Sequence, residues 1–343
     1  MKNAHIAAFF AVLSAVCWFL LQDFSVRNYV SLLFALFALQ VILNDLLESY
    51  LVSKLKSKYF NLVIAPGTII HEASHALVAK LTGCDITRIS FFNYSKKNGG
   101  VLGFVEYAQP ADGHQSIRSL LIGIAPFFGC GIFLIAILNY LALSHPGLGL
   151  VGPGLVEIGD ADKVISSVNL ILTRFYEQLL FLDLSNPAML FLLYLEFSFA
   201  LGSAPSPKDI SGAFDSLLEN KLEAFSIALF VLSAILVIEY APQIWEHGDK
   251  ISQPALAGLK WIILILMISL VMLLVAMPLS YVISENAEIN GILKAIPLLL
   301  FLLVYFLMTR FLESSVEIVL LSSAVVYLVS LFVLRHPEYF LKD

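Results

Sequence analysis

Apolar residues run along this chain in long blocks separated by short polar intervals. The blocks are too long for strands and too continuous for amphipathic surface helices. Windows able to cross a hydrocarbon layer of about 30 Å run from His5 to Leu21, Tyr29 to Leu47, Asn61 to Thr82, Ile117 to Leu143 and Asn186 to Ala204. Four more run from Leu222 to Tyr240, Trp261 to Ile283, Ile292 to Met308 and Val316 to Leu334. The pattern predicts an all-α polytopic membrane protein of about nine transmembrane helices. Periodicity changes once: Ile86 to Phe92 and Val101 to Tyr107 are β-branched and aromatic runs flanking Asn98-Gly99-Gly100, which predicts a small β-hairpin over 85–108. A Gly- and Pro-rich loop spans 145–185, and within it Val164 to Leu182 reads as a helix lying at the interface or packed on the bundle.

Composition agrees with the pattern. Hydrophobic residues make up 59% of the 343 and charged residues 13%, with a mean hydropathy of +0.88, well outside the range of a soluble domain. No small-x-small cleavage site follows the first apolar block, so it reads as a retained span. The formal charge of −6 is spread over loops without a basic block, which excludes nucleic acid as a partner class. Cys17, Cys84 and Cys130 show no paired spacing, so neither a disulfide framework nor a thiolate metal site is expected. The charges do not fix an orientation.

Chemistry concentrates at His71-Glu72-Ala73-Ser74-His75, inside the third apolar block. On a helix the i, i+4 spacing stacks both imidazoles on one face, while Glu72, one step round, can reach a water beside a bound metal. A carboxylate at the centre of a membrane helix costs roughly 3 kcal/mol on insertion scales, so it persists where it is used or paired. The plainer reading is a helix whose His and Glu are satisfied by neighbouring helices.

Two histidines do not complete a catalytic zinc site, which takes three protein ligands and keeps one position open. Asp209 is the strongest candidate for the third. It follows Gly202-Ser203-Ala204-Pro205-Ser206-Pro207-Lys208, where glycine and two prolines break an apolar span and free backbone carbonyls. Glu196 competes from the same segment. In a regular helix it would lie roughly 20 Å along the axis from Asp209, so only one of the two can serve unless the chain folds back. The remaining histidines, His5, His114, His145, His247 and His336, fall at span ends or in loops.

These residues resemble the site-2 protease family of intramembrane zinc metalloproteases, whose members carry HExxH in one membrane helix and an Asp ligand in a later, proline-broken one. The matching positions are His71, Glu72, His75 and Asp209, with Pro207 two residues before the Asp. The hairpin and Gly123-Ile124-Ala125-Pro126-Phe127-Phe128-Gly129 also look like family features. Ile210 and Lys208 depart from the usual pattern, which marks a distant branch. The resemblance covers about 60–215, leaving two leading helices in 1–59 and four trailing ones in 216–343 without a role. It implies Zn2+ held by His71, His75 and Asp209, Glu72 as general base, and hydrolysis of a peptide bond in or near a membrane-spanning segment of a protein or peptide substrate. Two other classes stay open. One is a membrane metalloprotease similar to the CAAX prenyl proteases, with a glutamate as third ligand; the other is a metal-binding transporter or scaffold without catalysis, in which Glu72 is dispensable.

Overall fold

The computed structural model describes residues 4–22, 24, 26–46, 58–92, 103–144, 150–158, 161–181, 186–203, 207–289, 291–311 and 316–335. Eleven α-helices are present among them: α1 (Ala4–Leu20), α2 (Arg27–Leu46), α3 (Lys58–Leu81), α4 (Gln115–Ser144), α5 (Ala161–Phe181), α6 (Pro187–Ser203), α7 (Pro207–Glu219), α8 (Lys221–Ile244), α9 (Asp249–Glu288), α10 (Ala295–Phe311) and α11 (Val316–Arg335). Three stretches, Gln115–Ser144, Lys221–Ile244 and Asp249–Leu274, are long and apolar enough to cross a membrane. Ala4–Leu20, Arg27–Leu43, Pro187–Ser203, Ala295–Met308 and Leu321–Arg335 are shorter apolar helices. The motif helix α3 is in neither group, and its described part carries His71, Glu72, His75 and Lys80 in place of apolar residues.

Two compact units divide the chain. One contains residues 1–49 and 63–274, the other 50–62 and 275–343. In the second, α10 pairs with α11, and Arg335 Nε donates to Glu285 Oε2 at 3.0 Å. The first holds every sequence-derived site residue. Its leading helices are built into it: Ile6, Ala7 and Val41 pack with Phe214 of α7, and Leu21, Val26 and Val30 pack with Ile235 of α8 and Leu256 and Leu259 of α9. The first part of α9 is the most enclosed segment, with Ile263, Leu264, Leu266 and Leu273 fully buried.

The expected hairpin is present as β1 (Asp85–Ser90) paired antiparallel with β2 (Phe104–Ala108). Register shifts between Ile86 and Arg88, a bulge at Thr87, whose hydroxyl donates to the Glu106 carbonyl at 3.1 Å. The Asn98-Gly99-Gly100 turn lies outside the described residues. Gly83, at φ +82°, ends α3 in a left-handed turn that sends the chain into β1. Arg118 of α4 donates to the Thr82 carbonyl at 2.8 Å and to the Asp112 carboxylate, so the end of α3, the loop and the start of α4 are tied together. The guanidinium holds the Asp112 carboxyl well below the usual carboxylate range. Glu223 of α8 accepts from the Ser116 and Ile117 amides at 2.6 and 3.2 Å, capping the start of α4 with a carboxylate where the helix dipole favours one.

α3 and α6 touch backbone to backbone. A Cβ on Gly67 would stand 1.9 Å from the Ser198 carbonyl oxygen, and one on Gly202 would stand 2.6 Å from the Gly67 carbonyl oxygen. The Gly67 amide donates to Ser198 Oγ at 2.8 Å. Pro66 just before it lacks an N–H of its own, so helix hydrogen bonding is already interrupted where the two helices meet. Small residues at such crossings let the two backbones approach closely. Gly67→Ala should therefore lower stability by about 3 kcal/mol, because backbone blocks the new methyl. Gly258→Ala, in α9 with open space around it, should raise stability by up to about 1 kcal/mol through helix propensity. Thermal unfolding of both variants in detergent checks the contrast; equal effects would remove the close crossing as its cause.

Candidate metal centre

His71 and His75 project from one face of α3, their ring centroids 4.8 Å apart and their planes at 81°. Each ring is fixed from behind. His71 Nδ1 lies 2.7 Å from the Gly202 carbonyl oxygen and His75 Nδ1 lies 2.8 Å from that of Ile122. A carbonyl only accepts, so both Nδ1 atoms carry the proton and a neutral ring then presents a bare Nε2. These two Nε2 atoms stand 3.2 Å apart. Asp209 brings Oδ2 to 3.3 Å from His71 Nε2 and Oδ1 to 3.3 Å from His75 Nε2.

Three electron-pair donors thus converge with no proton required between them, an arrangement that repels itself unless a cation joins it. One ligand atom from each of the three residues lies within 4.8 Å of the others. Donors at the corners of a tetrahedron whose centre lies about 2.0 Å from each are about 3.3 Å apart, close to the 3.2 Å between the two Nε2 atoms. Carbonyl-bonded histidines plus a carboxylate are also the usual first and second shell of a zinc or similar divalent site. His71, His75 and Asp209 therefore form a group that can hold a metal ion. Their side chains are 12%, 9% and 19% exposed, so the site is dry on most sides but not sealed.

Folding of the α6–α7 segment delivers the acid. α6 stops at Ser203 and α7 starts at Pro207, a residue suited to the first helical position. Asp209 then sits in the first turn of α7, where the helix dipole favours an anion. α4 supports it closely: a Cβ on Gly123 would stand 2.9 Å from the Asp209 carbonyl oxygen. On the same helix, a Cβ on Gly129 would stand 1.9 Å from Ser74 Oγ of α3. The two glycines of the Gly123-to-Gly129 segment are thus where α4 meets both ligand-bearing helices.

The rival acid is elsewhere. Glu196 is fully buried, and Gln178 Nε2 of α5 lies 2.7 Å from each of its carboxylate oxygens. α6 and α7 are separate helices, so spacing along one axis does not decide which acid reaches the histidines.

Glu72 is 8% exposed. It faces the hairpin: a Cβ on Gly103 would stand 2.6 Å from Glu72 Cγ and 3.0 Å from its Oε1. Backbone at the start of β2 is therefore packed on this carboxylate. Thr68 and Ser74, beside the histidines on α3, donate to the Ile64 and Ile70 carbonyls of their own helix. Sequence reasoning missed the Gly202 and Ile122 carbonyls and the Gly103 contact. A helix break beside Gly202 was the available signal for the first, since freed carbonyls need partners. The other two are backbone features that side-chain identity does not encode.

Purified protein should retain about one divalent metal ion per chain. His75→Ala and Asp209→Ala should each weaken zinc binding by at least about 100-fold, whereas Glu196→Ala should leave it intact. Chelator competition measures all three; zinc loss on the Glu196 change alone would reassign the third ligand. No protein family, curated protein or solved structure matches this chain.

Proposed function

We propose that this chain is a multi-pass membrane zinc metalloendopeptidase that hydrolyses a peptide bond in or near a membrane-spanning segment of its substrate. The observation that supports this reading best is Glu72, nearly buried and adjacent in sequence to His71, in a site where His71, His75 and Asp209 can share one ion. A structural metal site needs no such acid. Catalytic sites do, because a general base must lie beside an open coordination position.

Bound zinc supplies Lewis acidity, lowering the pKa of water at the site towards about 7. His71 and His75 donate from Nδ1 to the Gly202 and Ile122 carbonyls, which turns Nε2 of each ring towards the ion. Glu72 accepts a proton from the attacking water as its oxygen bonds to the scissile carbonyl carbon. When the C–N bond breaks, the same carboxyl returns that proton to the leaving nitrogen, and a carboxylic acid and an amine result. Gly103 packs against Glu72 on the side of α3 facing the hairpin. β1 and β2 form a sheet of two strands, so each has an outer edge. A substrate unwound from its helix can add there as a further strand, with its peptide groups hydrogen-bonded and close to Glu72.

Membrane residence fits the surface. Leu222, Phe225, Leu229, Phe230 and Ile244 of α8 are all exposed, a continuous apolar face that water would not tolerate and acyl chains would cover. The shorter apolar helices read as further crossings, about nine in all, with α3 embedded among them.

Glu72→Gln should keep zinc and lose at least about 10²-fold in the rate of cleaving a membrane-helix substrate reconstituted with the protein. Undiminished cleavage would leave the metal without a hydrolytic role and favour a transporter or scaffold. Gly103→Ala should also keep zinc, while lowering kcat roughly tenfold or more by displacing Glu72; wild-type turnover would show that the hairpin does not position the base.

A further inference from the structure

Outside the metal centre, the most enclosed polar cluster joins three helices. Gln40 of α2, Ser269 of α9 and Ser203 of α6 are 1%, 0% and 0% exposed. Gln40 Nε2 lies 3.2 Å from Ser269 Oγ, Ser269 Oγ lies 2.7 Å from Ser203 Oγ, and Ser203 Oγ lies 2.8 Å from the Ala200 carbonyl oxygen. Each proton has one place: Gln40 donates to Ser269, Ser269 to Ser203, and Ser203 to Ala200. The order runs in one direction and ends on α6.

Ser203 is the last residue of α6 and the neighbour of Gly202, whose carbonyl orients His71. The final four carbonyls of a helix have no partner within it. Here the Ala200 carbonyl takes the Ser203 hydroxyl, and the Gly202 carbonyl takes the His71 ring. Gly202 packs against Gly67 of α3, and Ser198 accepts from the Gly67 amide; Ser203 adds a further hold on this end of α6, so the aim of the Gly202 carbonyl also depends on what grips Ser203. That grip comes from α2 and α9. Neither helix contributes a metal ligand, and both lie outside the segment that carries the zinc motif and the acid.

Resting on the metal-centre reading above, we infer that Gln40 and Ser269 are positioning residues for His71, acting through Ser203 and the Gly202 carbonyl. This gives the leading α2 and the trailing α9 a role: they fix the broken end of α6 so that one ligand ring stays aimed at the ion. Outer partners of metal-binding histidines set ring orientation, and removing them weakens metal binding by about 10- to 100-fold. The Gln40 Oε1 atom is buried without a hydrogen-bond partner among the described residues. An amide kept at that cost in an apolar helix is explained by what its other end donates to.

The test uses the full chain in detergent, loaded with Zn2+ for affinity and with Co2+ for its ligand-field absorption spectrum. Gln40→Met and Ser269→Ala should each weaken zinc binding by about 10-fold or more and alter the cobalt spectrum. Ser269→Thr, which keeps the hydroxyl, should restore both. Ser323→Ala, which deletes a buried hydroxyl of the second unit bonded to its own helix, should change neither. If the alanine variant does not fold, Ser269→Cys retains the volume with a weaker donor, and should show the same loss. Wild-type affinity and an unchanged spectrum in folded Gln40→Met and Ser269→Ala or Ser269→Cys protein would overturn the positioning role alone. A wild-type chain that binds neither metal would remove the metal centre, and this inference with it.

Discussion

The first unit is organised around a repulsion. Two imidazole nitrogens and a carboxylate point at one small volume, 3.2 to 3.3 Å apart, and that is favourable only with a cation, a proton or a metal ion, between them. Without a cation, three desolvated electron-pair donors would move apart, and flexible side chains would find other partners. The fold prevents this by restraining each group from behind. Backbone carbonyls hold both rings, and α7's first turn and the Gly123 contact hold the acid. A centre so arranged is preorganised for an ion rather than assembled by it.

Close backbone approach is the means. Gly67, Gly123, Gly129 and Gly202 each stand where a methyl group would strike a neighbouring helix, and all four lie on α3, α4 or α6. At such close crossings, contact distance and interhelical hydrogen bonds carry the specificity. These crossings bring Gly202 and Ile122 close enough for their carbonyls to receive histidine protons. The broken helix has the same logic, since its unpaired carbonyls become useful only because α3 runs beside them.

The proposed zinc-dependent peptide hydrolysis would give this geometry a purpose. Under that proposal the hairpin and Glu72 form one device, with Gly103 allowing strand backbone to press on the base. Within the first unit, α2 and α9 would then act as the outer brace of a site to which they give no ligand. Glu196, in contrast, is a buried acid paired with Gln178, which joins α5 to α6 and has no part in the metal group.

Local physics made much of this legible in the chain. Apolar run lengths, the i, i+4 histidine spacing, the change to two-residue alternation at Ile86 and the proline break before Asp209 are properties of short segments, and short segments obey short-range rules. The choice between Asp209 and Glu196 was different, because the distance between an acid in α7 and a ring in α3 depends on how separate helices pack. So did the Gly202 and Ile122 carbonyls, the Gly103 contact and the Gln40–Ser269–Ser203 chain. Backbone atoms look alike in every residue, and a hydrogen bond between residues 229 positions apart leaves no mark on either neighbourhood. Sequence determined which groups were available and on which helical face; packing alone decided which of them meet, because that is a sum over contacts that no single segment contains.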